Sequence, residues 1–152
     1  MAKPKKRLAA PSKPTQGKQI VLPAKGKLPG AGSSHERVCW RFTHADMEGR
    51  WGLQQFTTES WHAVLQRLVQ FETMTVQEIR ESSVYTEYDL PSGLLPEALR
   101  RLEDLNLGDM TKIGRFRIWS KPRLYGFMEG NVFHVLWWDP EHEIYPWEPR
   151  NT

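Results

Sequence analysis

The chain lacks the features that mark secreted and membrane proteins. It has a single cysteine, Cys39, so an intramolecular disulfide is excluded and a reducing compartment is expected. No apolar run approaches the roughly 18 residues needed to cross a membrane. No apolar stretch follows the basic N-terminus, as it would in a secretory signal. These absences predict a cytoplasmic protein with no membrane partner.

The chain also lacks the short motifs that identify common enzyme sites. It has no phosphate-binding glycine loop, no Gly-x-Ser-x-Gly segment and no cysteine pairs at zinc spacing. Four side chains that could bind a metal crowd one short loop, namely Asp139, Glu141, His142 and Glu143. One loop with one histidine supplies few convergent ligands, so a solvated acidic turn is favoured over a metal site. We therefore expect neither a metal nor a cofactor.

Positive charge is distributed unevenly along the 152 residues. Residues 1–36 hold seven lysines and one arginine against a single acid, Glu36, and this composition predicts a disordered basic tail. The tail is either a solubilising leader or a loose tether to nucleic-acid phosphates, and its composition supports both. Residues 37–152 hold 13 basic and 17 acidic residues and are expected to form a single domain.

The first part of the predicted domain contains a hairpin and three helices. Val38–Phe42 alternates in polarity and, with Trp51–Phe56 as the return strand, predicts an N-terminal hairpin. Thr58–Phe71 has apolar residues at helical spacing. Thr75 begins a capping-box pattern that predicts a short second helix, and Pro96–Leu105 predicts a third helix with proline in its first turn.

The C-terminal part reads as three consecutive strands, Ile113–Trp119, Arg123–Met128 and Asn131–Trp138. Each is rich in β-branched and aromatic residues and is bounded by Gly or Pro. The third is apolar on both faces, which predicts a central position in the sheet. Segment Ser82–Gly93 has no clear period and is expected to be a loop. Helices segregated from antiparallel strands indicate an α+β fold, with the helices packed on one face of the sheet.

The first two strands alternate apolar with basic residues, which predicts one charged face. We expect a three-residue loop at Ser120–Pro122 and a two-residue turn at Glu129–Gly130. With these turns, one face carries Arg115, Arg117, Trp119, Arg123, Tyr125 and His134. The reverse face carries Phe116, Ile118, Leu124 and Met128, which suit a core. Charge on such a face can block edge pairing, but arginines interleaved with aromatic rings favour contact with phosphates and stacked bases.

The segments ALRRLEDLN, FRI, RLYGF, VFHVLWW and HEIY follow one another within residues 96–147. This order of a helix, three strands and a short end with His and Tyr resembles the C-terminal half of the RelE/ParE toxin superfamily. The resemblance implies a bacterial toxin–antitoxin protein with a small antiparallel sheet. Ribosome-dependent members of that family cleave mRNA, and other branches act on gyrase. This chain is longer than typical members and has Glu143 where they usually have a basic residue.

The resemblance implies a metal-independent endoribonuclease that acts on ribosome-bound mRNA and is neutralised by an antitoxin. It implies four catalytic residues, Arg117, Arg123, His142 and Tyr145. Arginine would neutralise the phosphate charge, and histidine would act as acid or base near neutral pH. The expected RNA-binding residues are Lys112, Arg115, Trp119, Lys121, Tyr125 and His134. Two alternatives remain open: a non-catalytic RNA- or ribosome-binding module on the same fold, and a protein-interaction domain that uses exposed tryptophans.

Overall fold

The computed structural model describes residues 35–146, which form an α+β fold with a five-stranded mixed sheet. The strands are β1 Cys39–Arg41, β2 Tyr85–Asp89, β3 Lys112–Arg117, β4 Arg123–Glu129 and β5 Val132–Asp139. The helices are α1 Thr58–Phe71, α2 Val76–Glu81 and α3 Pro96–Asp104, and Leu53–Gln55 forms a 3₁₀ turn. The predicted disordered tail lies outside the described residues except for His35 and Glu36. No helix in this range combines the length and apolar character that a membrane crossing requires.

A capping box begins each of the helices α1 and α2, and the sequence predicts the one at α2. The Thr75 hydroxyl accepts from the Glu78 amide at 3.1 Å, and the Glu78 carboxylate accepts from the Thr75 amide at 2.9 Å. Thr57 and Ser60 form the equivalent pair at the start of α1. Each box satisfies two backbone donors that a helix start leaves unpaired. Pro96 begins α3 as predicted, because the first turn needs no amide donor there.

The predicted N-terminal hairpin is wrong. β1 lies at one edge of the sheet and pairs in parallel with β5, from the far end of the chain. The proposed return strand is instead a turn followed by the 3₁₀ turn. Trp51 is buried against Trp137, with 5.6 Å between ring centroids. The apolar residues of the segment Trp51–Phe56 therefore reflect burial in a loop and not membership of a strand.

Strand β2 forms where a loop was expected. It pairs antiparallel with β3 and makes the other edge of the sheet. Its two tyrosines fall on opposite faces, because Tyr85 packs in one core cluster and Tyr88 against the other. An edge strand that contributes one aromatic ring to each face does not alternate between apolar and polar residues, so the usual strand pattern is absent.

The predicted antiparallel meander of β3, β4 and β5 is confirmed, but its register differs. The pairing of Arg117 with Arg123 makes the β3–β4 loop five residues long, Ile118–Pro122. A shift of two positions keeps every side chain on its predicted face. At the next turn Glu129 pairs with Val132, so the turn is Gly130–Asn131. His134 consequently lies opposite Phe127 and not opposite Tyr125.

Helices cover both faces of the sheet, which corrects the prediction that they pack on one. α1 and α2 cover one face, with Val64 and Ile79 buried against Phe116 and Leu124. α3 covers part of the other face through Ala98 and Leu102, together with Trp51, Tyr125 and Ile144. Strand β5 contributes buried residues to both clusters, as its apolar pattern predicts. The face expected to be open and basic is thus largely a second core.

Candidate functional site

The second core changes the surroundings of two residues expected at the surface. Tyr125 is fully buried, so a nucleobase has no access to its ring, and its expected role in stacking is wrong. Arg123 is only 7% exposed. Its Nη1 donates to the backbone oxygens of Trp119, Ser120 and Pro122 at 3.1–3.2 Å. Arg123 therefore anchors the β3–β4 loop and does not extend its head group into solvent.

A turn after β5 returns the chain to β3. The buried carboxylate of Asp139 accepts from the amides of Glu143 and Ile144 at 2.8–2.9 Å, which holds residues 139–144 in a tight turn. Ile144 is fully buried in the second core. His142 has a positive φ of 60°, a conformation that histidine adopts more readily than most side chains. The turn directs His142 toward the arginines of β3 and β4.

Arg115 and His142 are in direct contact. Nη1 of Arg115 lies 3.2 Å from Nε2 of His142. A guanidinium can only donate, so Nε2 is the acceptor and the proton of the neutral ring lies on Nδ1. The Arg115 guanidinium also lies over the ring of Tyr88, 5.2 Å from its centroid.

Tyr88 in turn stacks on Tyr145, with 3.8 Å between ring centroids and 17° between planes. The Tyr145 hydroxyl donates to the backbone oxygen of Ser92. Gly93 permits this packing, since it has a φ of 81° and a Cβ there would lie 2.6 Å from the Tyr145 ring. We call Tyr88, Arg115, Arg123, His142 and Tyr145 the C-terminal site.

Electrostatics keep His142 neutral at physiological pH. Burial, followed by the charges of Arg123, Arg115 and Lys121, lowers the pKa of His142 to about 4. Burial and the charges of Arg115 and Arg117 likewise lower the pKa of Arg123. Each of these groups would be stabilised in its charged form by a bound anion. The C-terminal site is therefore built to attract negative charge.

A cleft of about 620 Å³ lies beside His142. Its lining carries charge of both signs and includes the ion pairs Lys121–Glu141 at 2.9 Å and Arg50–Glu143 at 3.1 Å. These pairs are exposed, and exposed ion pairs contribute little and can exchange for other partners. Lys121 is thus available to a phosphate in the same way as Lys112, which pairs with Asp89 at 2.7 Å on the surface.

Three other predicted residues lie outside the C-terminal site. Trp119 is 42% exposed on the β3–β4 loop. Arg117 is exposed, and its Nη2 lies 3.3 Å from the Ser83 hydroxyl. His134 is partly buried, and the ionisable groups that act on it are Glu129, His44 and Arg41. Burial is the largest cause of its lowered pKa. His134 is therefore not brought together with the arginines of β3 and β4.

Tyr88 was not predicted as a site residue, because it lies in the segment Ser82–Gly93 that was expected to be a loop. Nothing in its local pattern indicates that its ring joins Arg115 to Tyr145. The helical spacing in Thr58–Phe71 suits a helix whose apolar residues face the core, but two of those residues, Trp61 and Leu65, are 36% and 43% exposed. With Val69 they follow one line along α1 at four-residue spacing, and that spacing could have indicated a second apolar stripe.

The acidic loop is not arranged as a metal site. Asp139 accepts backbone amides, and Glu143 accepts from the Trp51 indole and pairs with Arg50. Within residues 35–146 no group of three or more His, Cys, Asp and Glu side chains is placed to hold a metal ion.

Comparison of the chain with protein-family models, with curated proteins and with solved structures gives no match. Any assignment of function therefore depends on the residues and the geometry of the chain itself.

Proposed function

We propose that the protein is a RelE-like toxin of the RelE/ParE superfamily. In this proposal it is a metal-independent endoribonuclease that acts on ribosome-bound mRNA in the bacterial cytoplasm and is neutralised by an antitoxin. The observation that carries the proposal is the Arg115–His142 contact, at 3.2 Å, inside a site that also holds Arg123 and the stacked pair of Tyr88 and Tyr145. The order of α3, β3, β4, β5 and a final turn with His and Tyr supports it.

Metal-free cleavage of RNA makes three chemical demands. The ribose 2′-OH must lose its proton as it attacks the phosphorus, the phosphate charge must be neutralised, and the departing 5′ oxygen must gain a proton. The products are a 2′,3′-cyclic phosphate and a 5′-OH. Arg115 meets the second demand by bidentate contact with the phosphate. His142 meets the first or the third through Nε2.

Binding of a phosphate would change the state of His142. In the free protein Nε2 is engaged by Arg115, and burial together with the surrounding cations lowers the pKa of His142 to about 4. A phosphate that accepts from Arg115 releases Nε2 and offsets the positive charge. Both effects raise the pKa of His142 toward the neutral range, where general acid–base catalysis is most effective. Substrate binding would thus activate the histidine.

Three predicted catalytic residues remain, of which Arg117 lies outside the C-terminal site. Arg123 and Tyr145 take supporting roles in this proposal. Arg123 adds positive charge to the site but acts mainly as a positioning residue for the β3–β4 loop. Tyr145 holds the Tyr88 ring beneath Arg115, and its hydroxyl is already engaged with Ser92. We therefore assign phosphate contact to Arg115 and proton transfer to His142.

The test is expression of the full chain in a bacterial host without any partner, with mapping of mRNA 5′ ends. Wild type should arrest growth and produce new mRNA ends that carry 5′-OH groups. Arg115→Ala should lower cleavage by roughly two to three orders of magnitude, and His142→Gln should also reduce it. The control is His62→Gln on the exposed side of α1. Wild-type protein that leaves growth and mRNA intact would refute the enzymatic proposal.

A non-catalytic RNA- or ribosome-binding module is the second candidate. It is favoured by the engagement of Nε2 and by the low pKa of His142, since an imidazole in that state is a weak base. This function predicts that the purified protein binds ribosomes with an affinity that falls in Arg115→Ala and is unchanged in His142→Gln. Loss of cleavage in His142→Gln with binding retained would favour the enzyme.

A protein-interaction function is favoured by a separate surface. Its tryptophan is Trp61, which is 36% exposed. Its ring contacts Phe42, which lines a cleft with Met47 and Trp61, and Leu65 and Val69 follow Trp61 along α1. These four neighbours are 43–60% exposed. Single exposed apolar residues are ordinary, but a group of them marks an interaction surface. If a protein partner binds there, Leu65→Lys with Val69→Lys should release it without lowering the unfolding free energy. Retention of the partner in analytical ultracentrifugation would exclude this surface.

A further inference from the structure

The β3–β4 loop, Ile118–Pro122, is held from two sides by arginines. Arg67 on α1 donates through Nε to the Ile118 oxygen at 2.6 Å, and Arg123 donates to three other carbonyls of the loop. The Ile118 amide also donates to the Pro122 oxygen at 3.1 Å. Irregular loops are usually mobile because their carbonyls bond to water. Here four of the five loop carbonyls accept from a guanidinium, which fixes the loop.

This fixed loop carries an outward aromatic ring. Trp119 is 42% exposed, although tryptophan is among the side chains that gain most from burial. Its ring lies 6.2 Å from the ring of Trp138, which is buried and supports it from beneath. The indole is therefore exposed and its backbone is restrained at the same time. Such a ring binds a flat partner at a low cost in conformational entropy.

A groove of about 630 Å³ lies beside this ring, between α1 and the loop. Its lining includes Arg67, Arg117 and the side-chain amides of Gln66 and Gln70. None of the described residues that line it is acidic. The groove thus combines an aromatic ring with two guanidinium groups and neutral hydrogen-bonding groups. Nucleic acid is the ligand whose bases stack on such a ring while its phosphates pair with such cations.

We propose that Trp119 is a preorganised platform on which one unpaired base of single-stranded RNA stacks, with the adjoining phosphate held by Arg117. The inference rests on the proposed function and deepens it, since it makes the substrate single-stranded. In a duplex the bases are stacked on one another and their faces are not available to an indole. The proposal also assigns Arg67 and Arg123 as positioning residues, which act through the loop and not by contact with the base.

The test is fluorescence anisotropy of the full chain with a fluorescein-labelled single-stranded RNA, in a His142→Gln background that limits cleavage. Trp119→Ala should weaken binding roughly 10- to 100-fold, the loss expected for one stacked base. Trp119→Phe should restore most of the affinity. The matched control is Trp61→Ala, which removes another partly exposed tryptophan whose ring contacts Phe56. Binding of the same sequence as a duplex should not depend on Trp119.

The outcomes separate this inference from the proposed activity. Unchanged single-strand affinity in Trp119→Ala, or an equal loss of duplex affinity, would overturn the platform while leaving RNA cleavage by wild type intact. If single-strand binding depends on Trp119 but the wild-type protein produces no mRNA cleavage, the proposed endoribonuclease activity is refuted and the stacking platform is supported. The melting temperature of each variant detects an adverse effect on folding. If Trp119→Ala is unstable, Trp119→Leu replaces it, because leucine keeps an apolar side chain without an aromatic face and should show the same loss of single-strand affinity.

Discussion

Replacing Arg123 with alanine should destabilise the domain although the residue is charged and follows a loop. The guanidinium is 7% exposed and donates to three backbone oxygens, of which that of Pro122 belongs to a buried residue. Hydrogen bonds from charged donors contribute about 1.5–3 kcal/mol each. One nitrogen carries only two hydrogens, so the three contacts count as about two.

Part of this contribution is offset within the wild-type protein. Burial and the charges of Arg115 and Arg117 oppose the charged form of Arg123, as its lowered pKa indicates. Removal of the side chain relieves that repulsion. We therefore expect a net loss of about 2–3 kcal/mol in unfolding free energy. For a domain of this size the loss corresponds to roughly 10 °C in melting temperature.

Urea denaturation followed by tryptophan fluorescence measures the effect, with an unchanged m-value as the sign that the unfolding transition is the same. Arg123→Met separates the hydrogen bonds from the packing of the stem, because it keeps an apolar chain without donors. The control is Arg117→Ala at the directly paired, exposed position of β3, where we expect less than about 0.5 kcal/mol. An equally small loss in Arg123→Ala would refute the anchoring role and restore the view that its head group reaches solvent.

Two further predictions concern buried charge and pH. The carboxylate of Asp46 is buried and accepts two hydrogen bonds from Arg101 at 2.8 Å and one from Trp137 at 3.0 Å. Burial opposes the ionisation of Asp46, but these bonds outweigh burial and hold its pKa well below the ordinary value. Asp46→Asn should therefore lower the unfolding free energy measured by urea denaturation by about 3 kcal/mol. The pKa of His142 is about 4 when folded, against 6.5 ordinarily, so the unfolded chain binds more protons between these values. The unfolding free energy should thus fall as pH drops from 6.5 toward 4. It should fall less in His142→Asn, because asparagine tolerates the positive φ but does not titrate. Equal pH dependence of the unfolding free energy in the two proteins would contradict the lowered pKa.

Much of the helical structure and the order of the meander could be predicted because the signals are local. The Thr75 cap lies within four residues of its partner, and the apolar period of Thr58–Phe71 lies within one helix. The faces of β3 and β4 were predicted correctly even though the loop length was not, because a two-residue shift preserves alternation. A shift of one residue would have reversed every one of them.

The burial of the basic face could not be predicted, because its cover comes from distant parts of the chain. Trp51 precedes α1, and Ile144 follows the last strand, yet both pack with Tyr125. No local period connects them. The same reason explains why Arg115 emerged as the central arginine of the C-terminal site and Arg123 as a loop anchor. The direction in which an arginine extends depends on which face the distant segments leave open.

The parallel pairing of β1 with β5 has a consequence for how the protein is made. β1 is synthesised before the other four described strands, but its hydrogen-bonding partner, β5, is synthesised after all of them. The Asn131 side chain, which donates to the Arg37 oxygen at 2.9 Å, also bridges 94 positions. Pairings this far apart require closure of a long loop before they contribute, and they slow folding. Nascent chains that end before Val132 therefore keep β1 without its pairing strand. His142 and Tyr145 lie later still, so the C-terminal site assembles only after β5 and the turn that follows it have been synthesised.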